Sequence, residues 1–172
     1  MTGSVTAGYV LKDLKVLVVE KQLFMRRLLG DVLTQLGITN VIKVANIREG
    51  IEVMSKIDVD LVLLDWAPDM DAMKFLGAAR DADSSRDPFV PVIVVTAYSE
   101  YEHVCKARDA GMTEYLTKPI SAKALYARIK SIIERHRLFI RTGSFFGPDR
   151  RRREAPPEAG DRRKFKPAPQ NA

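Results

Sequence analysis

The feature that most constrains the fold is an alternation of short apolar runs with longer amphipathic stretches. Most of the apolar runs are rich in Val, Leu and Ile, which is typical of strands buried on both faces of a parallel sheet; they span 15–20, 40–45, 60–65, 91–96 and 113–116. Apolar residues at helical spacing predict helices at 23–36, 47–57, 71–80 and 100–110, and a last helix after the N-cap Ser121. This alternation predicts an α/β domain with a five-stranded parallel sheet and helices on both faces.

The residues that end the predicted strands are the first candidates for a functional site, because the crevice of an open α/β sheet lies at the carboxyl ends of its strands. An acid, Glu20, ends the first strand, and a second acid, Asp65, ends the third. A hydroxyl, Thr96, ends the fourth strand, and Lys118 follows the fifth. We therefore expect two carboxylates, a hydroxyl and an ammonium group to meet at one edge of the sheet.

These strand ends resemble the receiver domain of bacterial two-component response regulators, the CheY-like variant of the flavodoxin-like fold. The resemblance covers roughly 14–137 and is carried by four motifs in order: Val18-Val19-Glu20, Leu64-Asp65-Trp66, Val95-Thr96-Ala97 and Tyr115-Leu116-Thr117-Lys118-Pro119. It implies that Asp65 accepts a phosphoryl group, that Thr96 and Lys118 bind phosphoryl oxygens, and that Thr96 and Tyr115 form a switch pair. On this basis we divide the chain into an N-terminal extension at 1–13, a receiver domain at 14–140 and a tail at 141–172.

The second position after the first strand departs from the family pattern, because Lys21 stands where the family usually has a second acid that binds Mg²⁺. The remaining metal site would consist of Glu20, Asp65 and Ala67, which is a weak set for a hard cation that prefers several carboxylate oxygens. Lys21 is expected either to pair with Asp65 in place of the metal or to point into solvent. Mg²⁺-dependent phosphorylation is therefore predicted to be weak or absent, and Mg²⁺ stays an uncertain cofactor.

The charge of the chain is concentrated in its C-terminal tail. Residues 1–140 contain 19 Lys and Arg against 18 Asp and Glu, whereas residues 141–172 contain 9 against 4. A basic tail on a near-neutral body indicates an anionic partner. The tail is rich in Arg, Pro, Gly and Ala and is predicted to be disordered until a ligand binds.

The sequence argues against several functional classes. No apolar stretch approaches the ~20 residues that a membrane span requires, and no signal peptide is apparent, so we expect no membrane insertion. The single cysteine, Cys105, fits a cytoplasmic protein. We expect no DNA-binding or catalytic domain after the receiver, and therefore no DNA partner and no enzymatic activity; the output would be a protein contact.

The tail contains one acidic and basic unit twice, as Gly147-Pro148-Asp149-Arg150-Arg151 and as Gly160-Asp161-Arg162-Arg163. An aspartate weakens a purely electrostatic polyanion site, but it is useful for reading guanine. Arginine donates to guanine N7 and O6, and a carboxylate accepts from N1-H and the exocyclic amine. Two units would read two guanines, and the remaining arginines would contact phosphates, which together describe cyclic di-GMP.

A CheY-like receiver followed by Phe145-Phe146-Gly147-Pro148-Asp149 and an arginine run resembles the CheY-like cyclic di-GMP effectors called Cle proteins, found in alphaproteobacteria such as Caulobacter. The resemblance implies a receiver that engages the flagellar motor switch and ligand contacts from the two acidic and basic units: Asp149, Arg150, Arg151, Arg152, Arg153, Asp161, Arg162 and Arg163. Phe145 and Phe146 are expected either to stack on the bases or to pack on the receiver.

The sequence therefore predicts a cyclic di-GMP-binding effector that tunes motility and surface attachment, located in the cytoplasm with recruitment to the flagellated pole. Two alternatives stay open. The first is an ordinary single-domain response regulator that is phosphorylated on Asp65. The second is a tail that binds polyanions without specificity.

Overall fold

The computed structural model describes residues 9–135 and 137–150, and the backbone of residues 169–170. Five strands form a parallel sheet: β1 (Lys15–Val19), β2 (Asn40–Val44), β3 (Leu61–Asp65), β4 (Val92–Thr96) and β5 (Glu114–Thr117). Five helices alternate with them: α1 (Leu23–Gln35), α2 (Ile47–Lys56), α3 (Ala72–Arg80), α4 (Tyr101–Asp109) and α5 (Ala122–Glu134). The predicted α/β architecture is confirmed, and the strand order is β2-β1-β3-β4-β5.

Alternate residues of the strands face two separate hydrophobic layers, which is why the strands have no polar face. In β1, Leu17 lies in one layer with Phe75 of α3, and Val18 lies in the other with Leu33 of α1 and Leu125 of α5. All five side chains are fully buried. The sheet is therefore covered on both sides, and its functional positions are limited to its edges and ends.

Polar N-caps fix where three of the helices begin. The side chains of Asn46, Asp71 and Ser121 accept hydrogen bonds from backbone amides three residues further along, at 2.9, 3.1 and 3.1 Å. Each cap satisfies an amide that the first helical turn leaves without a partner. The prediction that Ser121 caps the last helix is confirmed.

The segment before the sheet is in contact with the receiver and is not a separate extension over 9–13. Leu11 is only 5 % exposed and packs in the layer formed with α1 and α5. The Tyr9 hydroxyl donates to Glu134 Oε1 at 3.0 Å. The boundary that we predicted at residue 14 therefore separates two parts that pack together, whereas residues 1–8 lie outside the described residues.

The start of the predicted disordered tail is a strand pair. β6 (Phe139–Thr142) and β7 (Phe145–Pro148) pair antiparallel across the two-residue connection Gly143-Ser144, and β8 (Pro169–Gln170) pairs with β6. The prediction of disorder from 141 onward is therefore wrong for 141–148, and β6 crosses the predicted domain boundary at 140. The signal was present in the sequence, because Gly143-Ser144 is a pair typical of a hairpin turn and apolar residues lie on either side of it, at Phe139-Ile140 and at Phe145-Phe146.

Aromatic contacts hold this strand pair against the amino-terminal end of the sheet. The ring centroids of Phe139 and Phe146 lie 5.0 and 5.5 Å from that of Phe89, in edge-to-face arrangements. Phe146 therefore packs on the receiver, which is one of the two outcomes considered for it. The contacts are long-range in sequence, so composition alone gave no reason to expect them.

Arg80, at the end of α3, lies beneath the strand pair. It is 5 % exposed, and its guanidinium donates to the carbonyl oxygens of Gly111, Pro88 and Val90 at 3.0, 3.0 and 2.7 Å. Burial lowers the pKa of Arg80 to about 9, so the side chain stays charged at neutral pH. Arg80 Cζ lies 5.2 Å from the centroid of the Phe139 ring, which covers this charge with a π face.

Candidate functional site

Three of the four predicted strand-end residues meet directly at the carboxyl edge of the sheet. Lys118 Nζ donates to Glu20 Oε2 and to Asp65 Oδ1, at 2.9 Å in each case. Glu20 is 0 % exposed and Asp65 is 6 % exposed, so both carboxylates are removed from bulk water. Thr96 ends the strand next to Asp65, since β3 and β4 are neighbours. The predicted convergence is confirmed for Glu20, Asp65 and Lys118.

The electrostatics of this cluster depend on the balance between burial and the lysine. Burial raises the pKa of Asp65, and the hydrogen bond from Lys118 opposes that effect without cancelling it. Burial disfavours the charged form of Lys118, but its two carboxylate partners outweigh this and raise its pKa. The site therefore contains one ammonium group shared between two buried carboxylates.

Lys21 does not pair with Asp65, which corrects one of the two arrangements that we expected for it. Its Nζ donates instead to Asp69 Oδ2 at 2.6 Å, in the loop that follows β3. Both side chains are more than half exposed, and the ammonium group lowers the pKa of Asp69. Lys21 therefore forms an ion pair with a carboxylate of the loop and not with either of the two buried carboxylates.

The oxygen donors at this edge do not fit a Mg²⁺ ion well. Of the two carboxylates, Glu20 already accepts a hydrogen bond on each oxygen, from the amide of Gln22 to Oε1 at 2.8 Å and from Lys118 to Oε2 at 2.9 Å. Within the described part of the chain, no group of three or more His, Cys, Asp or Glu residues is arranged to hold a metal. Lys118 already places a cation between these two carboxylates, so a Mg²⁺ ion would have to share them with an ammonium group.

The two predicted switch residues are connected through the backbone of Tyr98. The Thr96 hydroxyl donates to the carbonyl of Trp66 at 2.6 Å and accepts from the amide of Tyr98 at 3.0 Å. The Tyr115 hydroxyl donates to the carbonyl of Tyr98. The Tyr115 ring is 9 % exposed, and its burial raises the pKa of the phenol. The Tyr115 ring is therefore buried, and its hydroxyl is hydrogen-bonded to the loop that leads into α4.

Only the first two of the predicted ligand-binding tail residues are described. The amide of Asp149 donates to the carbonyl of Leu138 at 2.7 Å, and the carbonyl of Asp149 accepts from Arg137. Arg150 Nε lies 3.5 Å from Asp109 Oδ1. The other six predicted residues lie outside the described residues: Arg151, Arg152, Arg153, Asp161, Arg162 and Arg163.

Sequence reasoning missed three receiver residues that contact the segment 139–150: Arg80, Phe89 and Asp109. Each lies in or beside a receiver element and is distant in sequence from β6 and β7. An arginine on the apolar side of α3 was the available signal, because a buried arginine needs carbonyl or carboxylate partners.

The fold and the strand-end site define a signalling receiver of the doubly wound α/β class. Residues 16–130 match the family described as the response regulator receiver domain, and the chain belongs to this family. It is 30 % identical to the chemotaxis protein CheY-3 of Vibrio cholerae over 72 % of this chain and 95 % of that protein. It is 32 % identical to the chemotaxis protein CheY of Pseudomonas aeruginosa over 71 % of this chain and 98 % of that protein.

Solved structures agree with this assignment. A CheY-like response regulator receiver domain protein from Methanospirillum hungatei superposes with a TM-score of 0.61 at 26 % identity, covering 71 % of this chain and 95 % of that one. CheY4 of Vibrio cholerae shows the same fold, with a TM-score of 0.62 at 24 % identity, over 69 % of this chain and 98 % of that one. Among the helices that the structure describes, none has the length and apolar character needed to cross a bilayer.

Proposed function

We propose that this protein is a non-enzymatic CheY-like effector that binds cyclic di-GMP through its two Asp-Arg-Arg units. The observation that carries the proposal is the position of the first unit: β7 ends at Pro148, and Arg150, two residues later, lies beside Asp109, the last residue of α4. A ligand that orders the tail would therefore act directly on an element of the receiver.

The chemistry of the repeated unit supports a guanine ligand over a generic polyanion. Arginine side chains offer a fork to N7 and O6 of guanine, and the adjacent aspartate can accept from N1-H and the exocyclic amine. The aspartates of the two units are twelve positions apart, and the segment between the units contains Pro156-Pro157, which would form the turn around the ligand. Additional arginines would pair with the two phosphates.

The receiver would pass the signal on through a protein contact. α4 begins at Tyr101, which is 81 % exposed, and ends at Asp109 beside the tail, so one helix connects the ligand unit to the face formed by α4, β5 and α5. The relatives named above are chemotaxis proteins. We propose the flagellar motor switch as the partner, with a cytoplasmic location and recruitment to the flagellated pole.

Isothermal titration of the full chain with cyclic di-GMP tests the ligand. We expect saturable binding that is lost in the double variant Arg151→Ala/Arg162→Ala and that is much weaker with cyclic di-AMP, because adenine lacks the O6 acceptor. Affinity that ignores the base and falls steeply with salt would instead identify the tail as a non-specific polyanion site. Absence of any heat with the wild type would remove the proposal.

A second candidate function, phosphorylation of Asp65, is favoured by the presence of the acceptor carboxylate with Lys118 hydrogen-bonded to it. We propose that Asp65 is at best a weak acceptor, because Lys21 stands in place of a metal-binding acid and Lys118 already bridges Glu20 and Asp65. Intact mass after incubation with a small phosphodonor and Mg²⁺ measures this, and a stoichiometric adduct on the wild type would contradict it. The variant Lys21→Asp is expected to gain the adduct, and Lys21→Ala is the matched control.

A further inference from the structure

Arg150 carries its guanidinium over an aromatic ring at the point where β7 ends. Its Cζ lies 4.7 Å from the centroid of the Phe145 ring, which is within the range of a cation–π contact. The Arg150 side chain is 45 % exposed. The ring therefore covers part of the guanidinium, and nearly half of the side chain is accessible to a ligand.

The Phe145 ring is itself held in place by a close approach of backbone. A Cβ at Gly147 would lie 2.9 Å from Phe145 Cζ and 3.2 Å from the Cα of Gly111. Only a residue without a side chain allows the ring and the α4–β5 connection to approach this closely. The glycine of the first tail unit therefore has a structural role, which is to seat the ring beneath Arg150.

Asp109 holds the other end of this arrangement. Its Oδ1 lies 3.5 Å from Arg150 Nε and accepts from Arg108 Nε at 3.1 Å. A carboxylate at the last residue of a helix is opposed by the helix dipole, so the helix itself gains nothing from an acid here. The two arginines provide the compensating charge, and the ion pair directs the Nε edge of Arg150 toward the receiver.

We propose that Arg150 is a stacking platform for one guanine base of the ligand, with Phe145 beneath it and Asp109 as its positioning residue. The inference rests on the proposed function and deepens it by assigning one arginine a role. Bases stack on guanidinium planes as they do on aromatic rings. The Nε edge of Arg150 faces Asp109, and the contact that we assign to the ligand is a base stacked on the guanidinium plane.

The variant Arg150→Lys tests the platform, because lysine keeps the charge but has no plane on which a base can stack. We expect titration of the full chain with cyclic di-GMP to show about tenfold weaker binding than the wild type, the scale of one base stack. Arg48→Lys makes the same replacement on exposed α2, far from the strand pair, and should leave the affinity unchanged. Wild-type affinity in Arg150→Lys would overturn the platform.

The variant Asp109→Asn tests the positioning role through the sign of its effect. Removing an acid near a basic site should tighten the binding of an anion if only charge matters. A loss of positioning should instead weaken binding by about threefold, the scale of an exposed ion pair. Asp83→Asn makes the same charge change on an exposed loop and serves as control. Equal tightening in both variants would overturn the role of Asp109.

The outcomes separate this inference from the function on which it rests. If the wild type takes up no cyclic di-GMP, both are overturned. If the wild type binds and Arg150→Lys binds equally well, only the platform fails. Amide exchange over 138–149 in each variant verifies that β6 and β7 are still paired, so that weaker binding is not caused by loss of the strand pair.

Discussion

Replacing Phe139 with alanine is expected to detach the β6–β7 strand pair while the five-stranded sheet stays folded. Phe139 is 7 % exposed and touches three partners: Phe89 at 5.0 Å, Phe146 at 5.7 Å and the Arg80 guanidinium at 5.2 Å. No other residue of β6 has as many ring contacts among the described residues. The side chain is therefore the centre of the interface between the strand pair and the receiver.

The magnitude follows from these contacts. Two of these contacts reach the receiver, because Phe146 belongs to the strand pair itself. The aromatic pair with Phe89 contributes about 0.5–1.5 kcal/mol beyond its buried area, and the desolvated cation–π contact with Arg80 contributes about 2 kcal/mol. The total of about 2.5–3.5 kcal/mol lies near the lower end of the usual cost of a buried Phe→Ala substitution. Because an isolated two-stranded hairpin is marginally stable at best, this loss should appear as local undocking and not as global unfolding.

Hydrogen exchange of backbone amides measures the effect locally. A loss of ~3 kcal/mol should speed exchange over 138–149 by a factor of about 100, since each 1.4 kcal/mol is a factor of ten. Leu138→Ala is the matched control, because Leu138 is adjacent in sequence but 43 % exposed. Amides of β1 and β3 should keep their protection. Equal exchange over 138–149 in Phe139→Ala and the wild type would refute the reasoning.

Three further predictions concern the buried cluster and the switch. Lys118→Met should lower the free energy of unfolding by about 3 kcal/mol, the lower end for breaking a buried ion pair, because it leaves Glu20 and Asp65 without their cation. Urea denaturation at neutral pH measures this loss, and an unchanged midpoint would contradict it. Asp65→Asn should stabilise the protein at pH 7, because a raised pKa means that ionising Asp65 costs folding free energy as pH rises; the gain should vanish in melts below the ordinary carboxyl pKa. Tyr115→Phe should lower the free energy of unfolding by about 1 kcal/mol, because it removes the hydroxyl that donates to the carbonyl of Tyr98. A melting temperature equal to that of the wild type would argue against this hydrogen bond.

The sequence alone was sufficient to predict the receiver fold and the convergence at its carboxyl edge. Hydrophobic runs identify buried parallel strands, and parallel strands bring their carboxyl ends to the same edge wherever they lie in the sheet. Glu20, Asp65 and Lys118 could therefore be placed together although up to 98 residues separate them. This part of the site follows from local pattern and topology.

The partners of the charged side chains were decided only by the tertiary structure. Lys21 could have reached Asp65 or solvent, and it pairs with Asp69 because the loop after β3 brings that carboxylate to 2.6 Å. The strand pair docks on Phe89 and Arg80, and Arg150 meets Asp109, through contacts that no local pattern records. Such choices depend on distances of a few ångströms between segments far apart in the chain, and only the packed fold sets those distances.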